Sequence, residues 1–279
     1  FFFTPTPAYE ILSGLVGSEM CIRDSNNYVQ RRRSFIFCPG NKPELLTKAL
    51  NSGADMVCVD LEDAIIPQHK DISRSKTLEA FKTASVPKGI ETLIRINDIN
   101  SEDGFKDIEA LSSASNLPSG LMLPKIKTAE EIQKLNNRFI DANININLHV
   151  IIETNQGLKN VWEIAHSCSS IKSLLFGGVD MSADLGCLGD WTSLLYARSR
   201  VVHAAAGAGI DSIDVPFLDL DNMEGLREEA LLSKNLGFSG KGSIHPKQIE
   251  VLNSIFTPSD AAVSYTHLRA HETREDRGW

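Results

Sequence analysis

Hydrophobic and polar positions along the chain follow two alternating periods. Short β-branched runs read as strands: SFIFCPG from Ser34, MVCVDLE from Met56, TLIRIN from Thr92, GLMLPK from Gly120, NLHVIIET from Asn147, SLLFGGVD from Ser173, DSIDVPF from Asp211 and GKGSIHP from Gly240. Between them lie stretches with apolar residues at three- and four-residue spacing, among them PELLTKALNSG, TAEEIQKLNNRFIDAN, LKNVWEIAHS and MEGLREEALLSKNLG, which read as helices with one buried face. Alternation of this kind predicts βα units and a parallel sheet. Eight units, with no glycine-rich dinucleotide fingerprint after the first strand, favour an α/β fold closed into a (β/α)8 barrel over an open doubly wound sheet. Gly207 and Gly209 stand at the end of a helical stretch and before a strand, so they read as a helix C-cap and not as a phosphate loop.

The two ends break the pattern. Leu15 to Ser25 (LVGSEMCIRDS) and Val263 to Thr273 (VSYTHLRAHET) read as the two strands of one sequencing adapter translated in open frames. The apolar start lacks the basic segment and small-residue cleavage site of a signal peptide. The expected organisation is therefore adapter-derived, disordered sequence over 1–25 and 263–279, with one barrel domain over 26–262. That span suits a single barrel, which commonly takes about 250 residues. The net charge of −8 gives no electrostatic footprint for nucleic acid or an anionic membrane, and no apolar run approaches the roughly 20 residues needed to span a bilayer. Cys38, Cys58, Cys168 and Cys187 lack zinc-ligand spacing, and they read as reduced thiols in a cytosol-like compartment.

In a barrel of this type the chemistry collects at the C-terminal ends of the strands. Those ends carry Asp60, Glu62 and Asp63, then Arg95 and Asn97, Lys125, Glu153, Asp180 and His245. Period-two alternation puts Leu93, Arg95 and Asn97 on the inner face, so Arg95 points into the mouth. A guanidinium there calls for an anion, either a small carboxylate ligand gripped by its fork or an internal partner, Glu62 or Asp63. Glu153 and Asp180 close consecutive strands, about 4.8 Å apart in a sheet, so both carboxylates can reach one ion. An all-oxygen site with few protein ligands suits Mg2+ better than zinc, separate capping or salt-bridge roles being the other reading. Asp60 and Glu62 could hold metal-bound waters or pair with Arg33, and Asp63 could cap the next segment. Lys125 has two open readings, a phosphate contact or an ion pair with an acidic neighbour. His245, ahead of Pro246, reads as a structural residue starting a helix, and Trp162 as a core residue.

The runs RSFIFCPGNKPELLTKALNSGADMVCVDLEDAI, LIRIN, GLMLPK, IETNQGL, LLFGGVDMSADLG, SIDVPF and GFSGKGSIHPKQI, taken in that order from Arg33 to Pro258, resemble the citrate lyase β-subunit-like and malyl-CoA lyase group of the HpcH/HpaI aldolase and citrate lyase family. The resemblance implies a TIM barrel of the phosphoenolpyruvate/pyruvate type. Its chemistry is Mg2+-dependent cleavage or formation of a 3-hydroxy-acyl thioester such as citryl-CoA or malyl-CoA, giving a 2-oxo acid and an acetyl thioester. It assigns Glu153 and Asp180 to Mg2+ and Arg95 to the oxo-acid carboxylate, and it implicates Arg33, Glu62, Asp63 and Lys125 in thioester binding. It also implies a small 2-oxo acid and an acyl-CoA or acyl-carrier thioester as partners, a homo-oligomer (trimer or hexamer), and a cytoplasmic location, or the mitochondrial matrix in a eukaryote. A C-terminal lid found in many relatives is expected to be missing here. The competing expectations are a 2-oxo acid aldolase of the same superfamily acting without CoA, and a non-catalytic barrel subunit or truncated fragment.

Overall fold

Each of the eight strand-like runs becomes a strand, and they pair in chain order as one closed parallel barrel. The computed structural model describes residues 30–258, so the expectations for 1–25, for 263–279 and for a lid beyond Pro258 lie outside the described residues. The strands are β1 (Ser34–Pro39), β2 (Met56–Asp60), β3 (Glu91–Arg95), β4 (Gly120–Leu123), β5 (Asn147–Ile152), β6 (Ile171–Phe176), β7 (Asp211–Asp214) and β8 (Gly240–Ser243). Around them run α1 (Glu44–Leu50), α2 (Lys70–Thr83), α3 (Glu102–Ser112), α4 (Ala129–Asp141), α5 (Asn155–Lys159), α6 (Val161–Ala165), α7 (Gly178–Leu185), α8 (Trp191–Ala208), α9 (Met223–Leu236) and α10 (Ile249–Phe256). Local chemistry sets several of these limits. Thr128 and Glu131 form a reciprocal capping box at the start of α4, and Gly209 (φ 68°) and Gly237 (φ 114°) end α8 and α9 in the left-handed conformation. The LKNVWEIAHS run departs from the expected single helix, because its residues divide between α5 and α6.

Alternation along the strands builds two cores. Inward residues fill the barrel: Phe35, Leu93, Ile151 and Ile213 come from the odd strands, and Cys58, Met122 and Leu175 from the even ones. The eighth contributor is Gly242, where an added Cβ would sit 2.7 Å from the Phe35 ring, so the aromatic takes the space. Outward residues such as Val57, Ile94, Leu121, Val150 and Leu174 join the helices in a larger outer core. Trp162 is not in it. It is 41% exposed, lies against Gly207 of α8, and stacks between His166 and His203.

The N-terminal rim is closed by charge. Arg32 binds Glu91 at 2.6 Å and Asp211 at 2.9 Å, while His149, fully buried beside Glu91, shares a 2.8 Å hydrogen bond with Ser173. Burial holds His149 below the usual imidazole range and so favours its neutral form. Between barrel and helices a second buried network holds β7 and β8 to α8 and α9. Asp214 accepts Lys241 Nζ at 2.7 Å, Arg198 Nε at 3.0 Å and Ser233 Oγ at 2.5 Å, and Lys241 also reaches Glu229 at 2.7 Å. Removing the shared anion leaves two cations buried without it, so Asp214→Ala is expected to lower unfolding stability by about 3–5 kcal/mol in urea titrations. A loss below about 1 kcal/mol would mean that the network is energetically silent.

Candidate active site

The C-terminal mouth gathers most of the polar strand ends around one cleft of about 350 Å3, lined by Phe37, Arg95, Met122, Glu153 and Asp180 among others. Its first fixed point is Asp60, the inward residue that ends β2. Its carboxylate accepts the backbone N–H groups of Glu62 (2.8 Å) and Ala64 (3.0 Å), which shapes the segment after the strand. The same carboxylate takes Arg95 in bidentate fashion, with Nε at 2.8 Å and Nη2 at 2.6 Å. Arg95 Nη1 has only longer contacts, 3.2 Å to Glu62 and 3.3 Å to Asp63, and the guanidinium lies over the Phe37 ring at 4.7 Å. Burial disfavours the charged form, but Asp60, Glu62 and Asp63 outweigh it and keep Arg95 ionised. Arg95 therefore points into the mouth as alternation requires, with an internal partner the sequence did not single out. Asp60 occupies its Nε–Nη2 edge, and Nη1 keeps only the longer contacts with Glu62 and Asp63.

Glu153 follows β5 and is 3% exposed. Its Oε1 accepts the backbone N–H of Lys125 at 2.7 Å. Its Oε2 takes no hydrogen bond from the described residues and lies over Gly177, where an added Cβ would approach it to 2.8 Å. That close approach explains the glycine between β6 and α7. Burial, reinforced by Glu62 and then Asp180, pushes the Glu153 carboxyl up to about 8, despite the opposing Lys125 N–H. Glu62 is likewise pushed up by burial. Its contacts with Lys125 Nζ (2.8 Å) and Arg95 are charge contacts without hydrogen-bond alignment.

The placements of Asp180, Arg33 and Asn97 differ from the sequence reading. Asp180 does not close β6, which stops at Phe176; it sits in the first turn of α7 and reaches the cleft from a helix. Arg33 is absent from the mouth altogether. It precedes β1, and its guanidinium is bound by Asp55 (2.8 Å) and Thr257 (2.8 Å) at the opposite rim, so it can neither pair with Asp60 and Glu62 nor touch a ligand in this cleft. Asn97 lies beyond the end of β3; its Nδ2 donates to Asp107 and its Oδ1 accepts from the Lys70 ammonium, away from Arg95. Asp63 stays at the mouth with a largely exposed side chain. His245 caps the turn at Pro246–Gln248 through its Nδ1, as its position before a proline suggested. Phe37 escaped the sequence reading, although its two-residue spacing from Phe35 already put it on the inner face.

The oxygen donors suit a hard divalent cation. Glu153 offers an unused oxygen in a buried setting, Asp180 raises its proton affinity across the cleft, and a bound cation would relieve that repulsion. No group of three or more His, Cys, Asp or Glu side chains gathers at metal-binding separation among the described residues. A cation held by Glu153 and Asp180 would thus complete its shell with water and ligand oxygens.

Residues 33–246 match the profile of HpcH/HpaI aldolase/citrate lyase. The citrate lyase subunit beta of Leuconostoc mesenteroides subsp. cremoris is 32% identical over 85% of this chain and 81% of its own length. The L-malyl-CoA/beta-methylmalyl-CoA lyase of Rhodobacter capsulatus is 32% identical over 83% of this chain and 81% of its own length. Among solved structures, protein CitE of Mycobacterium tuberculosis, in complex with magnesium, acetoacetate and coenzyme A, superposes with a TM-score of 0.70 at 28% identity, covering 87% of each chain.

The raised Glu153 carboxyl has a direct signature in the cation-free protein. Its folded value of about 8 stands above the ordinary 4.5, so between these two the folded state holds a proton the unfolded chain has released, and stability falls as pH rises. In the presence of a chelator, the midpoint of thermal unfolding is expected to fall from pH 5 to pH 8.5, with a contribution of up to about 1.4 kcal/mol per pH unit. Glu153→Gln should flatten this component, and an unchanged slope in that variant would place the titration elsewhere.

Proposed function

This chain belongs to the HpcH/HpaI aldolase/citrate lyase family, and we propose that its barrel mouth is a Mg2+-dependent carbon–carbon lyase site acting on a 3-hydroxy-acyl thioester such as citryl-CoA or malyl-CoA. The observation that carries this reading is the pairing of a buried carboxylate, Glu153, whose free oxygen faces the same cleft as Asp180, with an Arg95 guanidinium whose Nη1 end remains for an anion. Glu153 and Asp180 would hold the ion. Mg2+ bound there would supply positive charge at the oxygens of the forming 2-oxo acid, worth several kcal/mol in such sites.

The remaining work falls to the chain. Arg95, braced by Asp60 and supported on Phe37, fixes the carboxylate next to the carbon–carbon bond that breaks. The hydroxyl gives up its proton to solvent and becomes the carbonyl of the 2-oxo acid; the electron pair of the broken bond passes to the carbon next to the thioester carbonyl as an enolate, which takes a proton back from solvent, so no net proton is gained or lost. The apolar floor of Phe35, Met122, Ile151 and Leu175 keeps water from below the reacting atoms and strengthens the charge contacts above it. The outer part of the mouth is lined by Leu218 and Ile244, 60% and 40% exposed, and offers apolar surface to the acyl arm.

Calorimetry with oxaloacetate or glyoxylate should show binding that requires Mg2+, with at least about a hundredfold loss in Glu153→Gln and about tenfold in Arg95→Lys. Equal affinity without the ion, or in Glu153→Gln, would overturn the assignment. A comparison of acyl-CoA donors with pyruvate plus aldehydes separates thioester from aldol chemistry, because turnover of the aldehydes alone would exclude the thioester.

A further inference from the structure

Lys125 stands where it should not be able to do what it does. Met122 faces the barrel interior, while Leu121 and Leu123 face the helices, so strict alternation would send Lys125 outward and Ile126 into the mouth. The structure shows the reverse. Ile126 is 1% exposed in the outer core, and the Lys125 ammonium reaches Glu62 Oε1 at 2.8 Å in the mouth. The inversion is made at Lys125 itself, whose φ of 56° is left-handed.

Among the described residues only one other non-glycine, Asn143, has a positive φ, and asparagine adopts that conformation readily. Lysine does not, and a side chain held there is strained. The neighbours enforce it. Pro124 has no N–H, the Ile126 carbonyl packs against Gly157 so closely that a Cβ there would lie 2.4 Å away, and Lys127 is tied at both its N–H (Glu131, 2.7 Å) and its carbonyl (Asn160, 2.8 Å). What the turn achieves is to aim the Lys125 N–H at Glu153 Oε1, 2.7 Å away, which fixes the carboxylate with Oε2 over Gly177.

We propose that Lys125 is a positioning residue acting through its backbone: the left-handed turn presents Glu153 to the cation, and the ion pair between the Lys125 ammonium and Glu62 stabilises that turn. This rests on the reading of Glu153 and Asp180 as the cation site. It contrasts with a direct ligand-binding role, and with a purely electrostatic one in which deleting the ammonium would let a cation bind more tightly.

Calorimetric titration with Mg2+ alone tests it, together with thermal unfolding. Lys125→Met keeps the strain and loses the ion pair, so Mg2+ affinity should fall about tenfold. Lys125→Gly adopts the left-handed turn without strain and keeps the N–H, so its affinity should return to within about twofold of the parent chain, with an unfolding midpoint at or above that of Lys125→Met. Equal affinities in the Met and Gly variants, or tighter binding by Lys125→Met, would overturn the proposal. Should Lys125→Met fail to fold, Glu62→Gln cuts the same ion pair. Its lost affinity must then recover in the Glu62→Gln/Lys125→Gly double variant, and no recovery refutes the inference. Glu153→Gln separates the two levels: if it binds Mg2+ like the parent chain, the cation-site reading falls, whereas if it loses binding while the Met and Gly variants agree, only the role of Lys125 falls.

Discussion

A carboxyl group buried beside other carboxyls is the constraint around which the mouth of this barrel is arranged. Glu153 is removed from water at the top of an apolar column, with Glu62 and Asp180 close enough to raise its proton affinity further. Left alone, such a group is neutral near physiological pH; with a divalent cation beside it, it becomes an anionic ligand. The surrounding features serve that choice. The N–H of Lys125 occupies one oxygen, Gly177 leaves space for the other, and Asp180 approaches from the first turn of α7.

The neighbouring charges divide the work between holding and binding. Asp60 is used up by Arg95 and by two backbone N–H groups, which fixes the guanidinium without a ligand present. Glu62 joins the two halves of the site through Lys125 on one side and Arg95 on the other. An anion entering this mouth would meet a guanidinium already braced, with only the long Nη1 contacts left to yield. Preorganisation of this kind moves the cost of ordering from binding to folding.

The two rims of the barrel use charge to different ends. At the N-terminal rim, Arg32 and Arg33 are matched to Glu91, Asp211 and Asp55 with short, closed contacts, and the polar layer there reads as a stopper. At the mouth, acids outnumber bases and the contacts are uneven. Closed ion pairs at one rim and partly open charge at the other match the division between stability and chemistry that parallel barrels show.

Sequence alone determined the eight strands, their order and the closure of the sheet, because period-two runs alternating with helical ones leave few ways to bury both. It also determined the inward direction of Asp60 and Arg95, since each lies an even number of residues from an inward apolar neighbour on its own strand. Wherever the chain left the strand this rule lost its hold. Arg33 sits one residue before β1, where strand pattern cannot say which rim a long side chain serves; Asp180 arrives on a helix that begins at the second of two glycines; and Lys125 enters the mouth by a left-handed residue that reverses the alternation. These were decided by tertiary structure alone, because the position of a side chain beyond a strand end depends on backbone turns that distant contacts enforce, here the carboxylate of Glu153 and the packing of Ile126 on Gly157.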